Sequence, residues 1–269
     1  MSMTMEQLIG VDEKELPLEN IVSDGGYCGI FRTIACVGDS LSSGEFEATD
    51  EEGKTTFHDM FDYSWGQYLA RMAGCKVYNF SRGGMTAKEY CDSFAKTNNF
   101  WSPKLAAQAY ILALGVNDIH GQEQPVGSIA DICDEDPEQN ADTFAGYYSR
   151  IIQRYKKIEP EARFFLMTMP ALKGDQKHYK EDEEHSALLY KMAEHFSNTY
   201  VLDIRKYGPR YDDEAFCRKF LMGHMTPTGY VLTARMVASY IDYIIRHHME
   251  DFRQVGFIGT PFRNTKDVL

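Results

Sequence analysis

The chain has 269 residues, 43% of them hydrophobic, and sets 28 Lys and Arg against 40 Asp and Glu, a formal net charge of −12. That balance argues against nucleic acid or an anionic membrane as the main partner and favours a small neutral substrate. The length exceeds the usual domain size, but α/β chains of this size form one core and no Gly/Ser/Pro-rich linker intervenes. Residues 1–269 therefore read as a single domain, with 1–32 an N-terminal extension and 250–269 a tail packed on it.

Met1 to Arg32 is mixed in character, punctuated by glycine around Asp24 to Gly29, and is expected to pack on the sheet edge. Its start, MSMTMEQLIGVDEKELP, has neither the basic region nor the apolar core of a signal peptide. No run of about 18 apolar residues is present to span a membrane, so a soluble, cytoplasmic protein is expected. The apolar run Ile34-Ala35-Cys36-Val37 has the length of a buried strand and stops at Gly38-Asp39-Ser40. A serine there leaves the sheet at its carboxyl edge, where open α/β sheets place ligands. Ser40 is thus a candidate nucleophile, the plain alternative being a helix cap. Glu45 to Asp62 is acidic and long for a strand-to-helix connection; it reads as a loop beside the site or as a solvated acidic face.

Trp65 to Ala73 has helical spacing and Gly74 stands where a helix C-terminal glycine belongs. A second strand, Lys76 to Phe80, runs into Ser81-Arg82-Gly83-Gly84-Met85-Thr86, whose backbone N–H groups can face an anion or a developing oxyanion. Tyr110 to Leu114 is a third strand and ends in Gly115-Val116-Asn117-Asp118, which brings the Asn117 amide to the same edge as Ser40 if the strands are parallel. Beyond it come a helix over Asp142 to Ile158, a fourth strand over Arg163 to Met169, a helix over Lys180 to Ser197, a fifth strand over Thr199 to Ile204, and a closing helix over Thr226 to His248. Strands alternating with helices predict an α/β fold with a five-stranded parallel sheet, order 2-1-3-4-5, covered on both faces.

Of eight histidines, His224 alone sits at a loop-to-helix junction on the side where the other motifs emerge, just before Thr226 and Pro227. His58 and His120 lie in loops that approach the site, while His178, His185, His195, His247 and His248 read as solvated surface. The six cysteines, Cys28, Cys36, Cys75, Cys91, Cys133 and Cys217, show no CxxC and no metal-ligand spacing; several sit in apolar runs and read as reduced core residues, and no zinc site or cofactor is expected.

Gly38-Asp39-Ser40-Leu41, Asn79 to Thr86 with Gly84, Gly115 to Asp118 with Asn117, and His224 together resemble the four ordered blocks of the GDSL/SGNH hydrolases. The resemblance implies a flavodoxin-like three-layer α/β/α sandwich and ester hydrolysis. Ser40 would attack the acyl carbonyl while His224 takes its proton, and Ser40, Gly84 and Asn117 would form the oxyanion hole. One position departs from the family: the aspartate usual three residues before the histidine is Leu221 here. Either a backbone carbonyl orients His224, leaving a Ser-His dyad, which is the favoured reading, or an acid arrives from elsewhere, Asp212 and Asp213 being the candidates.

Three functions compete. The first is a serine esterase on small acyl esters, O-acetyl groups on carbohydrate among them. A lipase or acyl-thioesterase is the second, although the loops at Glu45 to Asp62 and His120 to Asn140 are polar and offer no apolar lid. The third is a binding module, either a flavodoxin-like cofactor binder or a catalytically weakened carbohydrate-binding relative. In the tail, Phe252, Phe257, Ile258 and Phe262 either cover the core or reach a neighbouring subunit in an oligomer.

Overall fold

The computed structural model describes residues 3–172 and 177–265. Strands run over Thr33–Gly38 (β1), Glu45–Thr49 (β2), Thr55–Asp59 (β3), Lys76–Asn79 (β4), Ala109–Ala113 (β5), Arg163–Met167 (β6), Thr199–Leu202 (β7), Leu221–Met222 (β8) and His224–Met225 (β9). Five of them form one sheet in the order β4-β1-β5-β6-β7, which is the expected 2-1-3-4-5. Every pairing in it is parallel, with Ile34 opposite Val77 on one side and Ala109 on the other.

Alternate residues of these strands enter separate cores. Ala35, Val37, Tyr110, Leu112, Phe164 and Leu166 face the helices Phe144–Ile158 and Tyr179–His195. Ile34, Cys36, Ala109, Ile111 and Phe165 face the helices Trp65–Ala73 and Pro227–His247. A sheet buried on both faces explains why its strands read as continuous apolar runs, and the result is the three-layer α/β/α sandwich. Among the described residues, no helix is long and apolar enough to cross a membrane.

Two segments differ from the sequence reading. Glu45 to Asp62 is no loop: β2 and β3 form an antiparallel hairpin, with Glu45 opposite Asp59 and Glu47 opposite Phe57. The N-terminal extension lies on the closing helix Pro227–His247 and not on the sheet edge. There the Val22 N–H donates to Ser239 Oγ at 3.0 Å and the Tyr27 N–H to Asp242 Oδ1 at 2.8 Å. The tail folds over the amino ends of the strands: Arg32 donates to the carbonyls of Gly256 and Ile258, and Phe252, Val255 and Ile258 are buried.

The clamp on the closing helix is ionic. Arg246 donates to both carboxylate oxygens of Glu15 at 2.6 and 2.7 Å and to Asp242 at 2.7 Å, all three side chains being buried. The Arg246 hydrogen bonds, opposed by burial, hold the Glu15 carboxyl below its ordinary range. Glu15→Ala is therefore expected to cost about 3 kcal/mol of stability at neutral pH, because a buried guanidinium loses its bidentate partner. A group with a depressed folded pKa stabilises above its unfolded pKa and loses that contribution as pH falls through the folded value. Urea denaturation of wild type and variant should thus show a gap at neutral pH that narrows in acid.

Candidate active site

β1 ends at Gly38, and Asp39 caps a one-turn helix, Ser40–Ser43, by accepting the Leu41 N–H at 3.1 Å. Burial pushes the Asp39 carboxyl up to about 6, against the Leu41 N–H and the charge of His224, which pull it down. Ser40 is the first residue of that turn and is half-buried at the carboxyl edge of the sheet. The helix packs against β9, which carries His224.

The turn after β4 comes to the same edge. Gly84 is solvent-exposed with φ of 70°, and the Met85 carbonyl beside it accepts the Asn117 side-chain amide at 3.2 Å. An amide has two N–H donors, so this bond leaves a second one on Asn117. The neighbouring Asp118 fixes the junction from below: its Oδ1 accepts the Ala87 N–H at 2.7 Å, while Oδ2 is buried without a hydrogen-bond partner. Burial pushes this carboxyl up to about 7. Ser40, Gly84, Asn117 and His224 therefore share one edge of the sheet.

The remaining histidines divide differently from the sequence reading. His58 is exposed on β3 beside Thr56. His120 follows Asn117 in the same turn, but its Nε2 is 2.7 Å from Asp182, which Arg205 also holds at 3.1 Å. His185, read as solvated, is fully buried under Gly115, and burial lowers it to about 4.

The acid beside His224 is one that the sequence reading missed. His224 Nδ1 donates to Glu47 Oε1 at 2.7 Å, so a carboxylate from β2 and not a backbone carbonyl orients the ring. The dyad expectation is corrected accordingly, and so are its alternatives. Asp213 is taken up in capping the helix Glu214–Phe220, and Asp212 pairs with Arg210 at 3.3 Å. Leu221 lies on β8 opposite Met225 and packs, partly buried, against the core. Glu47 also needs the glycine before His224: a Cβ on Gly223 would sit 2.0 Å from Glu47 Oε2.

Strand alternation places a second acid on the same ring. Glu45 and Glu47 share one face of β2 while Phe46 between them packs on Tyr63 and Tyr230. Glu45 Oε1 lies 3.1 Å from His224 Nε2. Burial raises the Glu45 carboxyl, with Asp59 and Glu47 adding to the shift and His224 opposing it. The exposed ring of Phe57 stands edge-on to His224 at 5.9 Å.

A match to the sequence profile of the GDSL-like lipase/acylhydrolase family runs from residue 34 to residue 237, from β1 well into the closing helix. The chain belongs to this family. No curated protein matches it in sequence. Among solved structures, a protein from Lactobacillus plantarum is similar at 17% identity and a TM-score of 0.59, over 81% of this chain and 98% of that one. A family two carbohydrate esterase from Clostridium thermocellum, in complex with cellohexaose, is similar at 15% identity and 0.56, over 82% and 65%. A family 2 carbohydrate esterase from Corynascus thermopiles with a carbohydrate-binding domain is similar at 14% identity and 0.52, over 84% and 68%. At these identities the likeness is one of fold.

Within this GDSL-like chain two spaces adjoin the edge. A small apolar recess of about 60 Å³ lies beside the Ser40 turn, between Leu41, Val116, Met167, Met169 and Pro170. A polar groove of about 610 Å³ runs from Gly84 past Thr86, Lys88 and Glu89 to Gln122 and Gln124. The Nδ1 contact gives a direct test. The Nδ1 proton of His224 should resonate far downfield in the wild type, as expected for a bond to a carboxylate. It should be lost in Glu47→Leu and in Gly223→Ala and kept in Asp212→Asn and Asp213→Asn. A resonance that survives in Glu47→Leu would return the ring to another acceptor.

Proposed function

We propose that the protein is a serine esterase that removes small acyl groups, acetyl foremost, from a hydroxylated alcohol such as a carbohydrate. The observation that carries the reading is the His224–Glu47 pair at the edge where the Ser40 helix begins and where Gly84 and Asn117 meet. With Nδ1 committed to Glu47, the other nitrogen, Nε2, is the one that can take a proton from Ser40 once its own side is clear. The Ser40 oxygen then adds to the acyl carbonyl, and the new oxyanion is held by the N–H groups of Ser40 and Gly84 and the free N–H of Asn117. Collapse of the adduct sends the proton from Nε2 to the leaving alcohol and leaves an acyl-serine. Water, deprotonated by the same nitrogen, clears it. Glu47 keeps the tautomer fixed and balances the imidazolium that forms in each half-reaction.

A short acyl group is supported by the apolar recess beside the Ser40 turn. Its space of about 60 Å³ has room for a methyl or ethyl group. The polar groove beside Gly84 offers amide and hydroxyl side chains to an alcohol rich in hydroxyl groups. The two carbohydrate esterases of similar fold are consistent with that choice of alcohol.

p-Nitrophenyl esters from acetate to palmitate, assayed beside acetylated sugars, test the reading. Activity is expected to fall steeply beyond the shortest acyl chains and to vanish in Ser40→Ala with the fold intact; a purified Ser40→Ala protein that retains turnover removes the nucleophile. Asn117→Ala should lower kcat by about 10²–10³ with little change in KM, because its donor acts on charge present only in the transition state. A rise in KM at constant kcat would instead make Asn117 a substrate-binding residue.

A further inference from the structure

The side of His224 that must face Ser40 is occupied. An imidazole that donates from Nδ1 to Glu47 presents a lone pair at Nε2. Nε2 lies 3.1 Å from Glu45 Oε1, an ion-pair contact off the N–H axis that is attractive only when Nε2 carries a proton. With that proton in place Nε2 cannot accept another from Ser40. The other Glu45 oxygen is directed at the Gly83–Gly84 turn, where a Cβ on Gly83 would meet Oε2 at 1.9 Å. Glu45 thus spans from the base to the edge of the oxyanion donors, over the ground that the ester must enter.

From this geometry we propose that Glu45 is a gate on the catalytic site, opened by an alcohol that carries a free hydroxyl next to the ester; the proposal rests on the serine-esterase reading above. In the closed state the Glu45 carboxylate pairs with the proton-bearing Nε2. On opening, the Nε2 proton passes to the departing Glu45 carboxylate, so His224 keeps one proton, on Nδ1, and Nε2 regains its lone pair. The departing carboxyl has one O–H donor and one acceptor oxygen, which match the two faculties of an alcohol hydroxyl. A substrate with such a hydroxyl replaces the interaction that Glu45 gives up. An alkyl or ether-capped ester cannot, and leaves a half-buried carboxyl without a partner.

The elements around Glu45 suit a side chain that moves on a fixed backbone. Its carbonyl accepts the Tyr230 hydroxyl at 2.6 Å, and Phe46 beside it packs between Tyr63 and Tyr230. Asp59, directly across the hairpin, accepts the Gly83 N–H at 3.4 Å. A carboxylate facing a carboxylate across a strand pair is unfavourable, which favours proton uptake by Glu45 as it leaves His224.

The test compares 2-hydroxyethyl acetate with 2-methoxyethyl acetate, which differ in the one hydroxyl at issue. Wild type should prefer the hydroxyl ester in kcat/KM by about tenfold or more, the worth of one well-made hydrogen bond. Glu45→Ala should lose the preference and hydrolyse the methoxy ester faster than wild type does. Glu45→Val, whose side chain suits a strand, repeats the measurement if alanine loosens the hairpin. Labelling of Ser40 by phenylmethylsulfonyl fluoride, which carries no hydroxyl, should likewise be about tenfold faster in the variants. An unchanged preference, or equal labelling rates, overturns the gate and leaves the esterase standing. Absence of labelling at Ser40 in wild type and both variants removes the esterase reading, and the gate falls with it.

Discussion

An imidazole can serve a serine only when one nitrogen is held and the other is directed at the work, and in this chain the holding rests on one hydrogen bond, from His224 Nδ1 to Glu47. Much of the surrounding structure serves that contact. The closing helix starts at Pro227, three residues after the histidine, and its Tyr230 anchors the base of the hairpin through the Glu45 carbonyl. One helix therefore fixes the ring and the strand that carries its acid. Gly223 lets the carboxylate come against the backbone beside the ring. A charge-assisted bond of this kind is worth roughly 1.5–3 kcal/mol, enough to select one tautomer and one ring orientation.

The rest of the edge is held from beneath by buried carboxyls. Asp39 caps the turn that begins at Ser40, and Asp118 joins the Asn117 turn to the helix start at Ala87. Burial raises both above the ordinary carboxylate range, and each holds a turn through a backbone N–H, Leu41 for Asp39 and Ala87 for Asp118. Side chains set at the ends of buried strands by such contacts have little freedom, as the proposed oxyanion donors require.

The sheet, its order and the two helical layers were legible because strands buried on both faces appear as short apolar runs, and turn residues end each one cleanly. Ser40, Gly84, Asn117 and His224 were legible for the same reason, since each follows such a run or opens a helix. Glu47 was not. It is 177 residues from His224, in a stretch whose acidity suggested a solvated loop. The signal lay in alternation: Glu45, Phe46, Glu47 and Ala48 follow the period of a strand, and the turn Asp50 to Lys54 returns the chain to Thr55–Asp59. Net acidity hid that period. His185 was misread for a related reason: a polar helix face was taken to be wholly solvated, although the ring lies beneath Gly115.

Moving the acid from the position of Leu221 to a hairpin changes what controls the histidine. An acid three residues before the ring belongs to the ring's own loop and moves with it. Glu47 belongs to another element, so the orientation of His224 depends on how β2 docks against β9. Because the side chains of a strand alternate, the strand that brings Glu47 to Nδ1 also brings Glu45, two residues away on the same face, within reach of Nε2. Leucine at 221 and the carboxyl beside His224 then belong to one architecture: an orienting acid supplied by a strand comes with a neighbour whose side chain the site must put to use or move aside.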